Sequence, residues 1–297
     1  YHVFANPGTF TIHSPIPAGV DLIIQGAGGG GGIEAGGGGG AGALVEVTGY
    51  AVPSPSYTVQ VGAGGRGANF PPGYNSSPQL APLAGRLNCG GESKFGDLIA
   101  LGGQGGGCGW NTIQTPASPH GGCGGGSHDN MPPNNPSGSQ PTQNPGVANL
   151  NQYTNPGGPN PGPTSDYGNG GGGTGSSPVT SPTSPGAGGG IGRQIPVDFR
   201  PSPLTYEAIG TPGLAGAGYL GGGGAGGARS GAGDSNPPNG FGGAGGGGRG
   251  AGPTNDTGSV AGVVLTGGGG GACHTPYRSG RPGGSGVIIV SYPHSGA

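Results

Sequence analysis

By residue type, the four cysteines, Cys89, Cys108, Cys123 and Cys273, are the groups best suited to chemistry in this chain. Four cysteines admit three pairings. Cys108 and Cys123 flank a 14-residue insert that holds Trp110 and Pro116. A loop-closing disulfide there is the first expectation, and it would contribute about 3 kcal/mol through the entropy of the unfolded chain. Cys89 would then pair with Cys273 and tie the N-terminal part to the C-terminal part. Cys108, His120, Cys123 and His128 also form a set of two Cys and two His. They lack the Cys-x2-Cys knuckle of structural zinc sites, so no metal is expected.

Catalytic patterns are weaker. Gly-x-Gly-x-x-Gly recurs through composition alone. The single lysine, Lys94, stands in Glu92-Ser93-Lys94-Phe95, so no Gly-x4-Gly-Lys phosphate loop exists. Ser291, His294 and Asp21 make a triad in residue type only. His2 and His13 sit at strand edges and read as surface residues. Asn75-Ser76-Ser77 and Asn255-Asp256-Thr257 match the glycosylation sequon by coincidence of composition. The chain is therefore expected to be no enzyme and to carry no cofactor.

Composition bounds what could position such residues. Of 297 residues, 84 are Gly and 33 are Pro, and only 7% are charged. Gly costs about 1 kcal/mol and Pro about 3 kcal/mol in a helix interior, so no α-helix is expected. The net charge of -2 provides no basic stripe for nucleic acid. No run reaches the roughly 18 apolar residues of a membrane span. The chain opens on Tyr1, which suggests a processed chain or a fragment with any leader removed. Scarce charge, one lysine and four cysteines suit an extracellular or virion location.

Strand signals bracket the chain. Residues 9–13, 44–48 and 57–61 alternate apolar and polar side chains, and 20–24, 97–101, 260–265 and 286–292 are compact apolar runs. The economical arrangement is a small antiparallel β-sandwich made by both chain ends. Between the strands lie about ten blocks of near-pure glycine, among them 27–32, 35–42, 102–107, 221–227 and 267–271. They follow no Gly-X-Y period, which excludes collagen.

Flexible linkers or disorder would be the ordinary reading of such blocks. Their similar lengths argue otherwise. An extended helix with three residues per turn leaves its N–H and C=O groups pointing outward. Without Cβ atoms, such rods can pack closely and satisfy one another's backbone groups. The expected fold is thus all-β and irregular: an antiparallel sandwich plus a bundle of polyglycine-II helices, in one domain spanning 1–297. Residues 1–101 and 260–292 would be β-rich, and 102–259 would form the rod bundle with its loops. The Pro-, Asn- and Ser-rich stretches 128–167 and 176–211 read as long surface loops. Trp110, Tyr153, Tyr167, Phe199 and Tyr206 are the aromatics that could face a partner.

Several of these segments resemble a known family. Tyr1-His2-Val3-Phe4 through Gly8-Thr9-Phe10-Thr11 resembles the first hairpin of the glycine-rich domain of bacterial surface proteins and phage minor tail and tail-tip adhesin proteins. Tyr57 to Gly65, Ser93 to Gly96 with Ala100 to Gly103, and Gly286 to Tyr292 are similar to its later landmarks, in order. The Pro- and Asn-rich middle is a departure from that pattern. The resemblance implies a non-enzymatic structural subunit of an extracellular or virion assembly, such as a fibre, appendage or tail component, that packs with copies of itself. The alternative it implies is a receptor-binding adhesin that recognises cell-surface glycan through the loop aromatics.

Overall fold

The computed structural model describes residues 1–69, 88–108, 121–127, 144, 146–159, 167–178, 188–196, 199, 211–212, 218–228, 240–252, 258–274 and 279–292. Twelve strands form among them: β1 (His2–Phe4), β2 (Gly8–Thr11), β3 (Val20–Gln25), β4 (Leu44–Tyr50), β5 (Ser56–Gln60), β6 (Ser93–Phe95), β7 (Leu98–Ala100), β8 (Leu150–Tyr153), β9 (Arg193–Gln194), β10 (Thr211–Pro212), β11 (Gly218–Leu220) and β12 (Val287–Ser291). The described residues are nearly all β or extended, with no α-helix.

A five-stranded sheet has the order β1-β12-β3-β4-β8, a four-stranded sheet β2-β5-β6-β7, and a three-stranded sheet β10-β11-β9. Every strand pairing is antiparallel. Both ends of the chain meet in the five-stranded sheet, where Ile288 pairs with Ile24 and Ile24 with Val45. Successive side chains of a strand point to opposite faces. Leu22, Ile24, Val45, Ile288 and Val290 therefore face the four-stranded sheet and pack on Phe10, Val59, Phe95 and Leu98. Ile23, Leu44, Val287 and Ile289 face the other way, onto Leu220, Ile195 and Phe199. Burial on both faces is why β3 and β12 read as unbroken apolar runs, whereas β2 and β5, covered on one face, alternate.

Glycine segments continue the strands end to end. β3 runs into residues 26–32, the chain reverses at 33–35, and residues 36–43 lead back into β4. The antiparallel pairing persists across this change, but at every third residue. Gly26 donates to the Ala43 carbonyl, Gly29 to Gly40 and Gly32 to Gly37. The other two faces of the same segment find other neighbours. Ala27 and Gly30 donate to Gly91 and Asn88, while Gly28 and Gly31 donate to Gly284 and Arg281.

Residues 37–43 behave likewise. Gly37, Gly40 and Ala43 bond Gly107, Gln104 and Leu101; Gly38 and Ala41 bond Asn169 and Gly172; Gly39 and Gly42 bond Gly270 and Gly267. The bonding thus turns through three neighbours with a period of three residues. This is the lateral pattern that extended three-residue-per-turn rods require. Neighbours run in either direction: 101–107 is antiparallel to 37–43, and 169–172 is parallel to it. Residues 26–32 and 36–43 are buried throughout. At Gly39 an added Cβ would land on the Gly29 carbonyl, and at Gly28 on that of Gly268, well inside van der Waals contact. This close approach explains the glycine content of the core.

Polar side chains bridge the change of period from two to three. Gln25, fully buried, donates through Nε2 to the carbonyls of Gly26 (3.1 Å) and Gly42 (2.9 Å). Ser93 Oγ donates to the Gln25 carbonyl at 2.8 Å and accepts from the Gly62 amide at 3.0 Å. Thr174 Oγ1 donates to the Leu220 carbonyl (2.8 Å) and accepts from the Arg193 amide (2.9 Å). Buried backbone groups that fit neither ladder are thereby satisfied.

Two expectations are corrected. Residues 260–265 are not a strand. Val260 and Val263 donate to the Arg249 and Gly246 carbonyls, three residues apart, so the segment is an outer rod. It ends in a turn over 264–267 with Leu265 at φ 60°. Its valines are exposed at the outward third position, whereas Ser259 and Gly262 face inward. The expected first hairpin is also absent, because β1 pairs with β12 and β2 pairs with β5, in different sheets. Residues 5–7 carry the chain across the sandwich instead.

The three-residue period sets where side chains fit. Along 62–69, Gly62, Gly65 and Ala68 are buried, while Ala63, Arg66 and Asn69 are exposed. Gly39→Ala is expected to lower stability by about 3 kcal/mol or more, as overpacking against backbone cannot relax cheaply. Arg66→Ala, on an outward position, is expected to stay within about 0.5 kcal/mol of wild type. Urea unfolding midpoints of the two variants check this contrast.

Candidate functional site

The residues expected to meet a partner are placed very differently from one another. Tyr153 on β8 lies under the Arg193 guanidinium, 3.7 Å from ring centroid to carbon. Arg193 Nε donates to Glu46 Oε1 at 2.9 Å, so β4, β8 and β9 are clamped by one stacked and paired cation. Burial, then the nearby Glu46 carboxylate, pushes the Tyr153 phenol above its usual range. Burial works against the Arg193 charge, but Glu46 and Tyr153 outweigh it and hold its pKa up. Phe199 is 5% exposed and packs in the core beside Leu220. Tyr167 forms a bridge with Ala228. Trp110 and Tyr206 lie outside the described residues.

The described residues include all four cysteines, and no disulfide joins them. Rod register supplies the reason. Gln104 donates to the Cys123 carbonyl and Gly107 to Gly126, so 102–107 and 121–127 run parallel. Cys123 is therefore level with Gln104, four residues back from Cys108. At about 3.1 Å per residue that offset is about 12 Å along the rods, beyond the Cα separation of roughly 7 Å that a disulfide tolerates.

Cys273 donates its amide to Gly32, while Asn88 accepts from Gly30, which leaves Cys89 about three residues short of Cys273 on the same rod. Cys108 and Cys273 instead share an apolar cluster with Ile33 and Ala68. Cys273 Sγ donates to the Ser279 carbonyl at 2.8 Å. Burial pushes the Cys108 thiol up, and pushes Cys123 up to about 12. Among the described residues, no group of three His, Cys, Asp or Glu is placed to hold a metal. His120 and His128 lie outside them.

The aromatic cluster the structure does build lies elsewhere. Antiparallel pairing of β1 with β12 brings His2 beside Tyr292, 290 positions away in sequence, with His2 Nε2 and the Tyr292 hydroxyl 3.0 Å apart. Phe4 and Phe10 join them, with His2 edge-on to Phe10 at 5.6 Å. A cleft of about 610 Å³ opens over these rings. No local sequence signal marks it. Its members read individually as strand residues, and only the pairing of chain ends unites them.

A raised pKa leaves a thiol protonated, and the thiolate is the reactive form. At pH 8 burial keeps Cys123 in the thiol form. Cys123 is expected to resist iodoacetamide in the native protein at pH 8 and to alkylate readily in denaturant. Mass mapping of both samples checks it, and rapid native labelling at Cys123 is the contrary result. Arg193→Ala is expected to cost about 1–2 kcal/mol, since it strips Glu46 and Tyr153 of their partner. Thermal unfolding measures that loss.

Among the described residues, no helix is long and apolar enough to cross a membrane. No curated protein matches the chain. The glycine-rich domain family matches residues 5–293, which takes in the rods and every described strand except β1. The match covers nearly the whole chain, and the chain belongs to the glycine-rich domain family.

Proposed function

We propose that this chain is a non-enzymatic structural subunit of an extracellular or virion assembly, a fibre, appendage or tail component, that associates with copies of itself. One observation carries the proposal. The outer rod at 258–263 and the turn after it present Val260, Val263 and Val264, 51%, 42% and 68% exposed, with Ala261 and Pro282 beside them and Arg249 and Arg281 at the margin. Val260 and Val263 are one rod turn apart and project together. Covering such side chains gains about 25 cal/mol per Å² of apolar surface. A contiguous apolar flank is a feature of association surfaces. The rods behind it are locked by backbone bonds on their inner faces, so the flank is a stiff template whose shape need not be ordered on contact. Low net charge leaves little repulsion between copies, and scarce charged residues, one lysine and four cysteines suit a location outside the cytosol.

The alternative expectation, a tail or surface adhesin that recognises glycan through loop aromatics, draws less support from those particular aromatics. Phe199 is committed to the core and Tyr153 to Arg193.

Light scattering on eluting fractions, with negative-stain microscopy of the same fractions, tests the proposal. Wild type is expected to form oligomers or filaments that grow with concentration. V260D/V263D is expected to elute as monomer with an unchanged unfolding midpoint, because both side chains point away from the bundle. A wild-type chain that stays monomeric at its highest soluble concentration overturns the proposal.

A further inference from the structure

Two sheet edges meet at one corner of the sandwich. β1 is an outer strand of the five-stranded sheet and β2 an outer strand of the four-stranded sheet. After β2, residues 12–18 swing out with Pro15 and Pro17 and form the far wall of the 610 Å³ cleft. That volume lies within the roughly 300–1,000 Å³ of small-molecule sites.

The floor is aromatic. His2 stacks on Phe4 (6.4 Å, 24° between planes) and on Tyr292 (5.9 Å, 27°). Buried Phe10 supports the group from below, 6.1 Å from Tyr292. The contact between His2 Nε2 and the Tyr292 hydroxyl holds the rings in this arrangement. The rim is polar: His13 and Ser14, on the 12–18 wall, line the cleft and are exposed. Among the described lining residues there is no Asp, Glu, Lys or Arg.

These three features select a ligand class. A cluster of aromatic rings receives an apolar surface of a ligand. A hydroxyl donates and accepts hydrogen bonds and an imidazole N–H donates them, which matches a ligand whose own polar groups are hydroxyls. Phosphate, sulfate and carboxylate ligands call for the cationic partners that the described lining lacks. A pyranose combines a C–H face with a hydroxyl edge and carries no charge. We infer that this cleft binds a neutral saccharide, seated against the Phe4, His2 and Tyr292 rings with its hydroxyls towards His13 and Ser14. The inference stands apart from self-association, since the apolar rod flank involves none of these residues.

The full chain, labelled with carbon-13 and nitrogen-15, is titrated separately with maltose, cellobiose, lactose and chitobiose while the ring resonances of His2, His13 and Tyr292 are followed. At least one sugar is expected to shift them at millimolar concentration. Tyr292→Leu, which removes the ring and keeps apolar bulk, is expected to weaken that sugar tenfold or more. His13→Ala changes an exposed side chain outside the sandwich core and is expected to weaken it at least threefold. Octaproline serves as the peptide probe. The inference is overturned if none of the sugars moves these resonances, if both variants bind as wild type does, or if octaproline moves them at lower concentration than every sugar.

Discussion

The structure depends on lateral hydrogen bonding between glycine segments. In the rods 26–32 and 37–43 each N–H meets a carbonyl of a neighbouring segment, and three neighbours are served in turn. One such bond contributes about 0.5–1.5 kcal/mol net, and leaving a buried donor unmet costs about 1–3 kcal/mol. The bonds therefore matter as a set, because opening one rod orphans groups on three others. Ordering glycine carries the largest backbone entropy loss of any residue. Only a lattice in which nearly every residue bonds laterally can offset that loss, and only glycine lets the rods approach closely enough to form it.

The β-sandwich supplies what the lattice lacks, which is register. Rods alone can slide, rotate or exchange neighbours, because one glycine resembles the next. The strands cannot, since a shift of one residue would turn Leu22 and Ile24 away from Phe95. The rods 26–32 and 36–43 prolong β3 and β4, so side-chain packing in the sheets fixes which of their glycines meets which carbonyl. Gln25, Ser93 and Thr174 mark the seam. They carry side-chain bonds where a ladder of period two becomes a ladder of period three.

Much of this was legible in the sequence. Runs such as Val20 to Ile24 and Val287 to Val290 announce themselves by burial on both faces, and β4 and β5 by alternation. The glycine blocks announce close packing because no other residue could occupy them. Other features were hidden for physical reasons. Val260, Val263 and Val264 imitate a strand in composition, although their apolar side chains face solvent from a rod. The separation of β1 and β2 into different sheets depends on β12, nearly the whole chain away. Cysteine positions followed rod register, which sequence spacing does not reveal. The aromatic corner at His2 and Tyr292 exists only once the ends have paired, whereas Phe199 reads as a surface aromatic and is instead a core residue packed beside Leu220.

The three-fold turn of the rods has a consequence for how such a chain can change length. A rod has a reading frame of three residues. Removing one residue rotates everything beyond it by about 120° about the rod axis, which drives outward residues such as Arg66 or Val260 into positions where only glycine fits. Removing or adding three restores every face and merely shortens or lengthens the bundle by one turn. Viable length variants of the glycine segments should therefore be quantised in threes. Within a rod, a small deletion out of frame is more damaging than a larger one in frame.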